Sequence, residues 1–152
     1  PPADDELEVV IRKRIEVGNA VSATEYATAI ETIHLAGRQI GAFMSDFDLI
    51  LRPTVAHAPP TLGYLDMNSD DLDEYLRRVW SYIPFTAVFN ATGQPAMSVP
   101  LHWTADGLPL GSQFAARYGD ESTLFRLAGQ LEASQPWSHR RPDENMLLSG
   151  VR

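Results

Sequence analysis

Apolar residues return along this chain at two distinct spacings. Leu7, Val10, Ile11 and Ile15 recur every three or four positions, so residues 4–17 predict an amphipathic helix. Gly18 and Asn19 read as its C-terminal stop. Ser22 with Glu25 three positions on forms a capping box. It opens a long helix to about Met44, with Tyr26, Ile30, Ile33, Ile40 and Phe43 mostly on one side. Asp48–Pro53 is a short apolar run ended by proline and predicts a buried strand. Residues 54–68, with Pro59, Pro60 and Gly63, predict a loop. Ser69 is a candidate N-cap for a helix to about Tyr82, with Asp70, Asp71 and Asp73 near its positive end. Pro84 suits a first helical position, so a second short helix is expected from there to Gly93. Ala96–Leu101 predicts a strand, Asp106-Gly107 a hairpin turn, and Leu108–Ala116 the returning strand. Asp120 caps a last helix through Leu124, Leu127, Ala128 and Leu131, and residues 135–152 read as an extended polar tail.

The expected architecture is α/β, a mixed sheet of few strands covered by helices, in a single domain over 1–152. Three strands are few for 152 residues, so this sheet fits as part of a larger one.

Charge and composition then narrow the function. With 12 Lys+Arg against 20 Asp+Glu the net charge is −8, which argues against nucleic acid as a partner. No apolar run approaches the roughly 20 residues of a membrane span, so no membrane partner is expected and the cytoplasm is the default location. The absence of cysteine removes disulfides, thiolate zinc sites and cysteine nucleophiles. The chain opens Pro1-Pro2 without an initiator methionine, as a processed product or a piece of a longer chain would.

Local motifs supply no catalytic apparatus. His34, His57, His102 and His139 make no metal-binding spacing, so no metal and no cofactor are expected. Asp66–Asp70 starts like a calcium loop, but Asp71 stands where the turn glycine belongs and Arg77 where the bidentate glutamate belongs. Ser112 follows Gly111 on a strand with no base nearby in sequence. Trp80, Tyr82, Phe85 and Phe89 read as core side chains.

Larger segments are more specific. Ile15-Glu-Val-Gly18, Ser22–Tyr26, Asp48–Thr54, Asn90-Ala-Thr-Gly-Gln-Pro-Ala-Met-Ser-Val-Pro100 and Gly107-Leu-Pro-Leu-Gly-Ser-Gln113 follow in that order. Over roughly residues 6–136 the sequence closely resembles the C-terminal part of the amidase signature family. Gly93 as a helix terminator, and Gly111 as a point of close approach, make physical sense of the glycines in those segments.

The resemblance implies hydrolysis of linear amides, or ammonia release in glutamine amidotransferase subunits. It implies a triad of a serine, a second serine in a cis peptide and a lysine, lying in a Gly/Ser-rich segment of the family's upstream half. No Ser-Ser dipeptide occurs here, and Lys13, the only lysine, stands between Arg12 and Arg14 on a solvated helix. No catalytic residue is therefore carried over, and the chain alone is expected to be inactive. Family members acting on glutamine carry an acidic residue seven positions before the motif's asparagine, where this chain has Ile83. The resemblance places Ile83 and Ala87 beside the acyl pocket, on one helix face if the helix continues through Pro84; both also fit as plain core. The expected partner is a small-molecule amide bound by the full-length parent. Missing neighbours along the sheet predict a homodimer of the isolated chain. A free-standing binding or assembly module reusing this half-fold, and an isolated fragment without its own role, remain alternatives.

Overall fold

A computed structural model describes residues 6–141. Helix α1 (Val9–Asn19) and helix α2 (Ala23–Phe43) come first, followed by a 3-10 turn at Met44–Asp46. Strand β1 (Leu49–Pro53), helix α3 (Leu72–Tyr82) and helix α4 (Ala87–Thr92) follow. Strands β2 (Ala96–Trp103) and β3 (Pro109–Ala116) and helix α5 (Glu121–Ser134) complete the order.

The three strands form one sheet in the order β1-β3-β2. Both pairings are antiparallel, so the sheet is not mixed in strand direction as expected. The β2–β3 pair is the anticipated hairpin. The β1–β3 pair joins Leu49 to Ala116 and Pro53 to Ser112, a pairing no local pattern specifies. Side chains alternate between faces. On one face Val99, Phe114 and Ala116 pack with Leu124 of α5, surrounded by Leu49, Met97, Leu101, Leu127 and Leu131. This is the core. Trp137 packs against it too, and Gln135 Nε2 donates to the Leu101 carbonyl at 2.9 Å. Residues just past α5 thus lie against the sheet, and 142–152, the rest of the expected tail, fall outside the described residues.

Helix α2 opens on the anticipated capping box: Ser22 Oγ accepts from the Glu25 N–H and the Glu25 carboxylate accepts from the Ser22 N–H. The Ser22 hydroxyl, donating to the Glu25 carboxylate at 2.7 Å, and then the Ser22 N–H hold that carboxyl below its usual range. Ile30, Ile33, Ala36, Gly37 and Ile40 form its half-buried stripe, whereas Tyr26 and Phe43 are exposed. Helix α1 ends at Asn19, where the sequence placed its stop, and Ala20 closes it with right-handed backbone angles rather than a left-handed glycine cap. Of its predicted apolar face, Val10 is buried but Ile15 is exposed.

Two helix starts differ from the sequence reading. Asp71, not Ser69, caps α3 by accepting from the Glu74 N–H. Ser69 sits two positions outside, accepting from the Asp71 N–H at 3.2 Å. Helix α4 begins at Ala87, not Pro84, and ends at Gly93, whose φ of +76° is the left-handed cap that glycine favours. Among the expected core aromatics Phe89 is buried, while Trp80 is exposed. No helix among the described residues is long and apolar enough to cross a membrane.

Candidate functional site

The sheet face opposite α5 is where the motif segments meet. Thr54, just past β1, and Ser98 of β2 lie on either side of Gly111 in the central strand. Their hydroxyl oxygens are 2.6 Å apart, joined by a hydrogen bond. A Cβ built on Gly111 would stand 2.5 Å from Ser98 Oγ and 2.6 Å from Thr54 Oγ1, so only glycine leaves room for the pair. The Gly111 carbonyl also accepts from the Thr54 N–H at 3.0 Å. The leucine-rich strand segment, the serine of the long motif and the last glycine of the hairpin motif therefore form one contact.

Beside it, Arg52 reaches over the same face. Its Nε donates to the buried Gln113 Oε1 at 3.1 Å and its Nη2 donates to the Phe85 carbonyl. The guanidinium lies 4.1 Å from the centroid of the Phe89 ring and 5.9 Å from that of Phe85. Burial draws its pKa below the usual value. The Phe85 bond and the Ala56 N–H bond to the Tyr82 carbonyl, 2.9 Å, tie the α3–α4 connection to the end of β1.

Ile83 lies in that connection and Ala87 is the first residue of α4, and both are half-buried. They do not share a continuous helix face. The Ile83 N–H closes the last turn of α3 onto the Val79 carbonyl at 2.9 Å, and its φ of −116° and ψ of 49° leave the helix. Pro84 accounts for the break, since it disfavours helical geometry in the residue before it and cannot donate a helical bond. That signal was present in the sequence. The roles of Arg52, Thr54 and Ser98 were not, because each depends on strands distant in sequence.

Other candidates fall elsewhere. Lys13 Nζ donates to the Asp70 carbonyl and lies 3.8 Å from Asp70 Oδ1, joining α1 to the start of α3. Asp66 Oδ1 accepts from the Asn68 N–H at 2.9 Å, a turn contact. Ser112 lines a cavity of about 530 Å³ together with His57, His102, Leu51 and Leu110. Among the described residues no cluster of three or more His, Asp or Glu side chains could hold a metal ion. A larger groove of about 840 Å³ runs between α2 and the end of α4, past Ile33, Gly37, Gly93, Gln94 and Arg117.

The ordered motif segments have counterparts in known proteins, and the family model described as Amidase matches residues 2–125. The chain belongs to the amidase signature family. It is 38% identical over 110 residues to the protein named "Putative amidase AmiC" of Mycobacterium leprae, covering 72% of this chain and 23% of that protein. It is 31% identical over 148 residues to the 6-aminohexanoate-cyclic-dimer hydrolase of Paenarthrobacter ureafaciens, covering 93% of this chain and 30% of that one. The solved structure of a 6-aminohexanoate cyclic dimer hydrolase superposes with a TM-score of 0.81 at 29% identity, over 94% of this chain and 31% of the solved chain. The chain thus spans between about a quarter and a third of the length of these relatives.

Proposed function

We propose that this chain is the C-terminal part of an amidase whose nucleophile and base lie upstream of Pro1. In the full enzyme a serine attacks the amide carbonyl, the C–N bond breaks, and the amine leaves with a proton delivered through a lysine-based relay. Water then hydrolyses the acyl-serine ester to the free acid. No metal or organic cofactor enters. Ile83 and Ala87 form part of the acyl wall, and an apolar residue at 83 favours an uncharged acyl group over an ammonium. The relatives named for a cyclic dimer bring cyclic amides into range beside linear ones. The protein acts in the cytoplasm on a small molecule, and the isolated chain pairs as a homodimer.

The observation that carries this reading is the disposition of the potential catalytic groups. Lys13, the only lysine, is engaged by Asp70 at the α1–α3 junction, and the Ser98 hydroxyl is engaged by Thr54. A serine hydroxyl is a weak nucleophile without a base in hydrogen-bond reach.

The test is hydrolysis of short and long acyl amides by the 152-residue chain, purified free of host amidases, beside the product of any longer reading frame containing it. The expected result is no turnover by the chain and turnover by the longer protein. Turnover by the chain that survives Lys13→Ala would overturn the assignment of chemistry to an upstream segment.

A further inference from the structure

Arg52 is a half-buried cation whose partners on the sheet are all neutral. Its hydrogen bonds go to the Gln113 amide oxygen and the Phe85 carbonyl, and its guanidinium carbon lies over the Phe85 and Phe89 rings. Ion pairs form instead at Lys13, Arg77, Arg78 and Arg117. No described carboxylate lies within 4.0 Å of the Arg52 guanidinium. This stands out in a chain with 20 Asp+Glu and a net charge of −8. A guanidinium remains protonated at neutral pH and carries five N–H donors, so two hydrogen bonds leave it short of both acceptors and countercharge.

The space around it has a definite character. A cavity of about 310 Å³ between β1, α2 and α4 is lined by Arg52, Gln39, Ile40, Ile50, Val88 and Phe89, with Phe43 at its wall. Ile50 and Arg52 are two apart on β1 and share a face of the strand. The lining is a cation and an amide set among aliphatic and aromatic side chains, with no acid. That volume is at the lower end of small-molecule sites, which run from roughly 300 to 1,000 Å³. Arginine matches a carboxylate in a planar, two-pronged geometry, and its attraction strengthens where water is displaced by apolar walls.

We propose that this cavity binds an aliphatic carboxylate, with the carboxylate on Arg52 and the hydrocarbon chain against Ile40, Ile50 and Val88. The site is separate from the acyl wall assigned to Ile83 and Ala87 and stands whether or not the parent hydrolyses amides. An anion here neutralises a cation that the fold already partly desolvates, so binding adds a charge-assisted contact at a reduced cost of burying the arginine.

The test is calorimetric titration of the 152-residue chain with hexanoate at neutral pH, with hexanamide and acetate as controls. Hexanoate is expected to bind at least about tenfold more tightly than either control, since one lacks the charge and the other the chain. Arg52→Gln should weaken hexanoate at least about tenfold. If that variant fails to fold, Gln39→Glu decides the matter, because an isosteric change at the cavity rim supplies a resident carboxylate that competes with the ligand. Equal affinity for hexanoate and hexanamide, equal affinity for hexanoate and acetate, no hexanoate binding, or unchanged affinity in either variant would each overturn the proposal.

Discussion

Thr54 and Ser98 meet hydroxyl to hydroxyl over Gly111, 2.6 Å apart, and the central strand passes beneath them without a side chain. The glycine and the hydroxyl pair are one device, for a methyl group at 111 would occupy the space the two oxygens use. Gly111→Ala is expected to destabilise the fold by about 1–3 kcal/mol, the usual penalty for forcing an extra methyl into packed structure. Ser98→Ala removes one of the two oxygens, so Gly111→Ala in that background should cost less, and a double-mutant cycle in urea reads the coupling. Additive effects would show that the clash is absorbed elsewhere.

Ile83 precedes the proline that separates α3 from α4, and the backbone on either side of it is tied down through Tyr82 and Phe85. A change of side chain there acts on what the side chain touches, not on the course of the chain. In the full-length enzyme Ile83→Asp, or Ile83→Ala as the gentler change, should shift the ratio of kcat/KM between long and short acyl amides by about 10–200-fold, the range that methylene-scale pocket changes produce. Lower kcat/KM for both amides at an unshifted ratio, with reduced stability, would place Ile83 in the core.

How much of this was legible in the sequence depended on the range of the interaction that decides each element. The Ser22–Glu25 box, the Asp106-Gly107 hairpin and the Gly93 cap are local, and each stands where the residues put it. The start of α3 was ambiguous because Ser69 and Asp71 are both good caps, and they end in series, Ser69 bonding the backbone of the true cap. The break at Ile83 is local, set by Pro84, whereas the Phe85 carbonyl just before α4 accepts from Arg52, a contact between residues distant in sequence. The antiparallel β1–β3 pairing and the Thr54–Ser98 contact are of the same kind. Their partners are far apart in sequence, and no local periodicity encodes the match.

Glu74 makes stability depend on acid in a defined direction. Hydrogen bonds from Arg77 and Arg78, at 2.7 Å each, hold its carboxyl down to about 2 from an ordinary 4.5. A carboxyl lowered by folding contributes its stabilisation in full above its unfolded value and loses it as the pH falls toward the folded one. Glu25, lowered chiefly by the Ser22 hydroxyl, and Asp120, lowered chiefly by the Thr123 and Ser122 hydroxyls, act in the same sense. The wild-type chain should therefore lose more Tm than Glu74→Gln between about pH 5 and about pH 3, with both measured by circular dichroism. Parallel losses would show that Arg77 and Arg78 do not hold Glu74 in solution.

The isolated chain also exposes surface that a folded domain ordinarily covers. Helix α2 has 21 residues and none of them is buried; Tyr26 is 64% exposed and Phe43 58%. Strand β1 lies at the edge of the described sheet, and Leu51 on it is 64% exposed. An edge strand offers unpaired backbone groups to another strand, and identical chains satisfy such an edge most simply about a two-fold axis. A net charge of −8 favours a small soluble assembly over open-ended association. Sedimentation equilibrium at micromolar concentration is expected to give a dimer. Leu51→Lys places a charge at the edge and should shift the equilibrium toward monomer without unfolding the α5-covered core on the central strand. A wild-type chain that stays monomeric and unfolds cooperatively would show that the exposed stripe of α2 and the β1 edge do not associate.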